Sequence, residues 1–250
     1  MSILMMHRKK FSTHPKRTIM VSEMARIMNA ASPDESFQKV MEENVTNKRT
    51  KSNILQTNKE LISLYSFDIE YPPFRVLQYF WNIIDEKQKP LLAFLFAYGR
   101  DYLLFESTDV VLTTPIGEKV LTSKLEENIE KYHPNHYSEN TRRSIAQNIA
   151  SSWKQSGYIT GRVKNIRTKT SPDYYIVTFA LILAYLDGIR GDFLFACKWV
   201  KVLDITESQV RELALEAARR DLLQYNYAGG VTTISFGNLY KKLNINGINS

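Results

Sequence analysis

The side chains best suited to chemistry in this 250-residue chain are the cationic and amide groups of residues 139–170. Ser138 precedes a helix-spaced run from Glu139 to about Gln155, closed by Gly157. Ile145, Ala146, Ile149 and Trp153 fall on one side of that helix. Asn140, Arg143, Gln147, Ser151 and Lys154 fall on the other. Guanidinium groups pair with guanine edges, amides with adenine edges and ammonium groups with phosphates, so the polar side suits a duplex groove. The first turns of a recognition helix reach the bases, which singles out Asn140, Arg143 and Gln147. Arg142 lies towards the apolar side and is expected on a phosphate or an internal acid. Tyr158 to Asp173 reads as a hairpin or irregular wing, with Arg162, Lys164, Arg167 and Lys169 placed to track the backbone. Across 139–170 there are seven basic residues and one acid, Glu139. A solvated helix face beside a loop would show the same excess, because charge alone is unspecific.

A second basic group lies at Lys48, Arg49 and Lys51, within a Thr46–Lys59 stretch that contains no acid. Before it, Asp34 follows Pro33 and opens a segment with Phe37, Val40 and Met41 on one helical face. After it, Ile54, Leu55, Leu61, Ile62 and Leu64 mark another helix. Two helices across a basic turn read as a helix-turn-helix-like unit.

Other chemistry is poorly supported. His133 and His136 have ligand-like spacing, but Pro134 intervenes and no Cys or third His is near in sequence, so no metal is expected. Cys197 follows Phe193-Leu194-Phe195-Ala196 and reads as an inert buried thiol. No Gly-x-x-x-x-Gly-Lys loop occurs. Asp34, Asp85 and Lys87 could be sought as nuclease residues, but they fall in expected helices rather than on a convergent scaffold. The expectation is a protein without cofactor or catalytic residues.

The elements that must position these groups are mainly helical. Hydrophobic residues are 44% and charged residues 24%, ordinary globular usage that excludes a disordered polymer. A net charge of +7 favours an anionic partner, and one cysteine fits a reducing cytoplasm. The basic start has no apolar signal-peptide core. The longest apolar run, Tyr174 to Leu186, has 13 residues, too few to span a bilayer, and reads as a buried helix. Phe74–Ile84 and Pro90–Leu112 read as two apolar core helices. Ser123 with Glu126 suggests a capping box opening a helix to about Tyr132. The last third reads as helices at Tyr174–Leu186, near Asp192–Val202 and at Glu207–Asp221, the last capped by Thr206 with Gln209. A hairpin around Gly229-Gly230 follows, which gives winged-helix order. This third helix pairs Glu207 with Arg211 and Glu216 with Arg220, making it a poor phosphate binder. Tyr225 and Tyr227 are expected in the core. The expected organisation is a basic flexible tail at 1–17, an N-terminal helical domain at 18–135 and a winged-helix-like C-terminal domain at 136–245. The fold class is mainly α, with helix-turn-helix or winged-helix-like parts and one or two short β-hairpins. No fixed-period repeat is visible.

At Tyr137-Ser138-Glu139-Asn140-Thr141-Arg142-Arg143 the sequence resembles the BrxA family of BREX bacteriophage-defence systems. The likeness continues to Gly157-Tyr158-Ile159, through Ala180–Leu186 and Val210–Asp221, and into the Tyr225–Phe236 hairpin. Lys48-Arg49-Thr50-Lys51-Ser52 is similar to the family's basic turn. The resemblance covers most of residues 20–240 and rests on order and pattern rather than on one diagnostic motif. It implies a non-catalytic protein that binds double-stranded DNA, with a methyltransferase, an AAA-type ATPase and a phosphatase-like protein as BREX partners. Some family members carry an inner-membrane label, which the apolar-run length argues against here. The alternative expectation is a protein–protein adaptor within the BREX complex that does not touch nucleic acid.

Overall fold

Helical periodicity along most of the chain becomes a stack of helices around one apolar interior. The computed structural model describes residues 11–31 and 37–245. The first layer comprises α1 (Val21–Ala30), α2 (Phe37–Glu42), α3 (Lys51–Tyr65), α4 (Pro72–Ile83) and α5 (Lys89–Arg100). Pro72 and Pro73 occupy the first turn of α4, where an N–H has no intrahelical partner to lose. Phe37, Val40 and Met41 are all buried, as their spacing predicts. Asp34 lies outside the described residues.

The continuous helix expected over Pro90–Leu112 is broken at Asp101. That residue leaves helical geometry (φ −104°, ψ 112°), and its carboxylate accepts the Leu104 N–H at 3.0 Å. An aspartate offered local N–H partners competes with helix continuation. Two short helices follow, α6 (Tyr102–Glu106) and α7 (Thr108–Val111). The Ser123–Glu126 capping box does not form. Helix α8 (Thr122–Tyr132) starts two residues earlier than a Ser123 cap would set it, with Leu121 at its cap, so Ser123 is already helical. Ser138 does cap α9 (Glu139–Gln155), accepting the Thr141 N–H.

After α9 come two antiparallel two-residue strands, β1 (Ile159–Thr160) and β2 (Ile166–Arg167), with Lys119 bridging Ile166 on the outer side. Residues 102–167 therefore run two short helices, strand-like segment, helix, helix, hairpin, close to the order of a winged helix. The last third runs similarly, with a 3₁₀ turn where the first has its strand-like segment and a short helix at its end. It contains α10 (Tyr174–Leu186), a 3₁₀ turn (Gly191–Leu194), α11 (Lys198–Lys201), α12 (Glu207–Arg219), β3 (Gln224–Ala228), β4 (Val231–Ser235) and α13 (Gly237–Lys242). The single helix expected near 192–202 is a 3₁₀ turn plus one α turn, separated by extended Cys197 (φ −82°, ψ 166°). Leu194, Phe195, Trp199, Val200, Val202 and Leu203 are all buried, and one straight helix could not turn so wide a set inward. Thr206 and Gln209 form the expected capping box of α12. Tyr227, expected in the core, is 68% exposed near the end of its strand.

The interior is continuous across residue 135. The rings of Phe94 and Trp153 lie 4.7 Å apart, and those of Phe80 and Phe179 lie 5.8 Å apart. A boundary between 135 and 136 would fall in the turn joining α8 to α9, which pack against each other.

The expected solvated tail at 1–17 is corrected over its described part. Thr13 and His14 have no exposed surface. Residues 11–20 form a strap between α3 and α9. The Asp101 carboxylate accepts Ser12 Oγ at 2.9 Å and the Thr13 N–H at 2.7 Å, and lies 2.8 Å from His14 Nδ1. On the α9 side, Asn148 donates to the His14 carbonyl at 2.8 Å, and Gln155 Oε1 accepts the Val21 N–H at 3.1 Å. On the α3 side, Tyr65 donates to the Ile19 carbonyl and Arg17 to Asn53. Burial pushes the Asp101 carboxyl up. His14 and the N–H groups of Leu104 and Thr13 outweigh it, so the group titrates below the usual carboxylate range. A depressed folded value stabilises the fold fully above the unfolded value of about 4, and the contribution disappears as pH falls through the folded value. Asp101→Asn should cost about 3–5 kcal/mol near neutral pH by stranding His14. It should also flatten the loss of stability below about pH 4, read from urea melts at graded pH. An unchanged acid limb would remove Asp101 from this role.

Candidate nucleic-acid interface

Helix α9 is held by its apolar side. Ile145, Ala146, Ile149 and Trp153 are buried as expected, and Trp153 Nε1 donates to Ser107 Oγ at 2.7 Å. Asn148, Ser152 and Gln155 meet the strap, and Arg142 turns towards α8. What remains outward is a narrow stripe of Asn140, Arg143, Gln147, Ser151 and Lys154. Arg143 is 56% exposed and reaches back to Glu139 at 3.1 Å, an i, i+4 pair of little strength in water. The helix ends at Gly157 (φ +88°), where the Gly157 N–H reaches the Lys154 carbonyl and the Tyr158 N–H reaches that of Trp153. This left-handed closure turns the chain straight into the wing.

The wing is anchored at its base and open at its tip. Tyr158 is buried, its ring 4.8 Å from that of Trp153, and its hydroxyl donates to the Val202 carbonyl at 2.5 Å. At the tip, a Cβ on Gly161 (φ +90°) would sit 2.4 Å from the Lys164 carbonyl oxygen, so only glycine allows the turn. That turn presents Arg162, Val163 and Lys164 to solvent, Val163 being 85% exposed. Lys169 is also exposed. Among the described residues, Lys154, Arg162, Lys164 and Lys169 take part in no ion pair.

Two residues expected at this interface do different work. Arg142 pairs with Glu130 at 2.6 Å and with the Tyr137 carbonyl at 3.0 Å, the internal acid foreseen for it. Arg167 is a correction, because it is 1% exposed and cannot track a phosphate backbone. Its guanidinium donates to the carbonyls of Val111 (3.0 Å), Tyr158 (3.2 Å) and Thr168, and pairs with Asp204 at 2.5 Å. The alternation of β2 sends Arg167 inward, which charge counting could not reveal. Lys119 was missed from the sequence. It is exposed on the strand-like segment bridging Ile166. Its only signal was the short run between Gly117 and Thr122.

The Lys48–Lys51 turn stands apart from this surface, with the strap running between α3 and α9. Lys48 is paired with Glu23 at 2.7 Å, whereas Arg49 and Lys51 are exposed beside Thr50, the N-cap of α3. In the second winged-helix-like unit, among the described residues, Arg219 is the one arginine of α12 and its cap without a carboxylate partner. Arg211 of α12 is held by Asp192 at 2.8 Å and Glu207 at 2.7 Å, over the Phe195 ring, and Arg220 is paired with Glu216.

The structure also contains an arrangement that spacing could not show. Ser152 Oγ lies 2.8 Å from His14 Nε2, and His14 Nδ1 lies 2.8 Å from Asp101. This is the order of nucleophile, base and orienting acid. All three side chains have no exposed surface, and Ser152 Oγ also accepts the Ile19 N–H and donates to the Asn148 carbonyl. A substrate carbonyl has no approach to that hydroxyl, and the relay serves to fasten the strap. His133 Nε2 lies 2.7 Å from Glu106, and no group of three metal-ligating side chains occurs among the described residues. Burial pushes the Cys197 thiol up, away from thiolate reactivity. Among the described residues no helix is long and apolar enough to cross a membrane.

No family model, no protein of curated function and no solved structure matches this chain.

Arg167→Ala should cost about 3–5 kcal/mol, because it strands buried acceptors and Asp204 together. Lys164→Ala and Lys169→Ala should each stay within about 0.5 kcal/mol of the parent. Guanidinium melts separate the two classes, and a silent Arg167→Ala would return that residue to the surface.

Proposed function

We propose that this chain is a non-catalytic, double-stranded-DNA-binding accessory component of a BREX-type phage-defence system, similar to BrxA and acting in the cytoplasm. One observation carries the DNA reading. The outward stripe of α9, in the position a winged helix uses for recognition, continues into a wing whose exposed cations, Arg162, Lys164 and Lys169, have no carboxylate partner among the described residues. Unneutralised cations beside a groove-sized helix are what phosphate binding requires. Asn140, Arg143 and Gln147 would face base edges. Lys154, Arg162, Lys164, Lys169 and Lys119 would neutralise phosphates. Arg49 and Lys51 would form a separate, weaker contact, since Lys48 is already engaged by Glu23. The BREX assignment rests on the resemblance of the Tyr137–Arg143 run, the α9 helix and the final hairpin. The methyltransferase, the AAA-type ATPase and the phosphatase-like protein are the partners it implies.

Binding to a fluorescent duplex should weaken steeply with salt, with a log–log slope of about −0.9 per phosphate neutralised. Replacing Lys154, Arg162, Lys164 and Lys169 together with alanine should make that slope shallower by about one unit per lost contact. Asn140→Ala with Gln147→Ala should leave the slope alone and reduce discrimination between sequences by about 1–3 kcal/mol per lost bidentate pair. Unchanged binding by the folded quadruple variant would refute the site. A parent protein that ignores duplex even at low salt, yet co-purifies with BREX proteins after nuclease treatment, would favour the adaptor reading.

A further inference from the structure

The hairpin of the second unit is built for pairing. From Leu222 to Tyr240 there are nineteen residues without a charge, in a chain where 24% of residues are charged. Among the described residues β4 is flanked by β3 on one side and by the Gly191–Leu194 turn on the other, and β3 has no strand on its outer side. The two-residue Gly229-Gly230 turn makes Ala228–Val231 a hydrogen-bonded pair, and with it Asn226–Thr233 and Gln224–Ser235. The N–H and C=O groups of Tyr225 and Tyr227 consequently point away from β4, and among the described residues no backbone bond outside the hairpin takes them up. Natural edge strands are blocked by Lys, Pro, bulges or a covering element. Gln224–Ala228 contains no Lys and no Pro, and its register with β4 has no bulge.

We infer that β3 is a self-association edge and that its occupant is the β3 strand of a second copy of this chain, antiparallel across a two-fold axis through Asn226. The sequence Gln224-Tyr225-Asn226-Tyr227-Ala228 is self-complementary in that register. Tyr225 stands opposite Tyr227 of the second copy and exchanges both outward hydrogen bonds with it. The symmetric pair does the same, giving a four-bond ladder. Aromatic side chains then meet across the strands, with Tyr227 already 68% exposed in the single chain. Asn226 meets Asn226 of the second copy, and no like charges face each other. This inference does not rest on the DNA reading.

The expected mass in solution is twice the 29.0 kDa of one chain, measured by light scattering over a concentration series. Asn226 is exposed, so Asn226→Lys and Asn226→Glu should both fold, checked by circular dichroism. Each alone places like charges across the axis and should be monomeric, whereas an equal mixture should recover the doubled mass. Tyr227→Pro removes one outward N–H without touching the internal ladder and should also give monomer. A parent chain that stays monomeric at every concentration would overturn the inference and leave the edge to a strand of another protein. Dimers of Asn226→Lys as stable as the parent's would overturn it too.

Discussion

The arrangement depends on one buried cation. Arg167 reaches inward from the second strand of the first wing and gives its donors to Val111, Tyr158, Thr168 and Asp204. Those four acceptors belong to α7, the start of the wing, the wing itself and the loop before α12. A lysine, with one compact charge, could not serve them in a fixed plane. The guanidinium therefore fixes the wing against its own helices and fixes the first winged-helix-like unit against the second. The cations at the tip are oriented because this one is withdrawn from solvent.

The two units show how one topology diverges by charge. In the first, α9 carries an outward stripe with two cations and two amides, and its wing tip is cationic. In the second, Arg211 of the equivalent helix α12 is held by Glu207 and Asp192 and Arg220 at its cap by Glu216, Arg219 is exposed without an ion pair among the described residues, and the hairpin carries no charge at all. The first surface leaves most of its cations unpaired among the described residues, and the second pairs most of its own. Their likeness lies in element order alone, since the sequence shows no fixed-period repeat. Equivalent helices differ too much in length, 13 residues in α12 against 17 in α9, for residue spacing to reveal it.

Elements governed by local signals were legible in the sequence. Helix α9 with its Ser138 cap, α10 over Tyr174–Leu186, the Thr206–Gln209 capping box and the Gly229-Gly230 hairpin all stand where spacing and turn chemistry put them. What escaped was set by distant partners. Asp101 breaks an apolar helix because Ser12, Thr13 and His14 arrive at its carboxylate. The segment counted as a solvated tail is buried for the same reason. Arg167 looked like a wing cation because a two-residue strand is too short to show which way its side chains alternate. At the candidate interface Asn140, Arg143, Gln147 and Lys154 do share one face, while Arg142 and Arg167 are spent on internal acceptors.

The strap has a consequence for how the chain is made. His14 meets Ser152 across 138 residues of sequence, and Asp101 across 87. At a ribosomal rate of about 5–20 residues per second, residue 14 leaves the tunnel roughly 7–28 s before residue 152 does. During that interval the histidine has no hydroxyl to meet, and α9 does not yet exist to receive the strap. Closure is therefore a late event in biosynthesis, and the seam between strap and α9 is where a nascent-chain chaperone or a protease would find the molecule open.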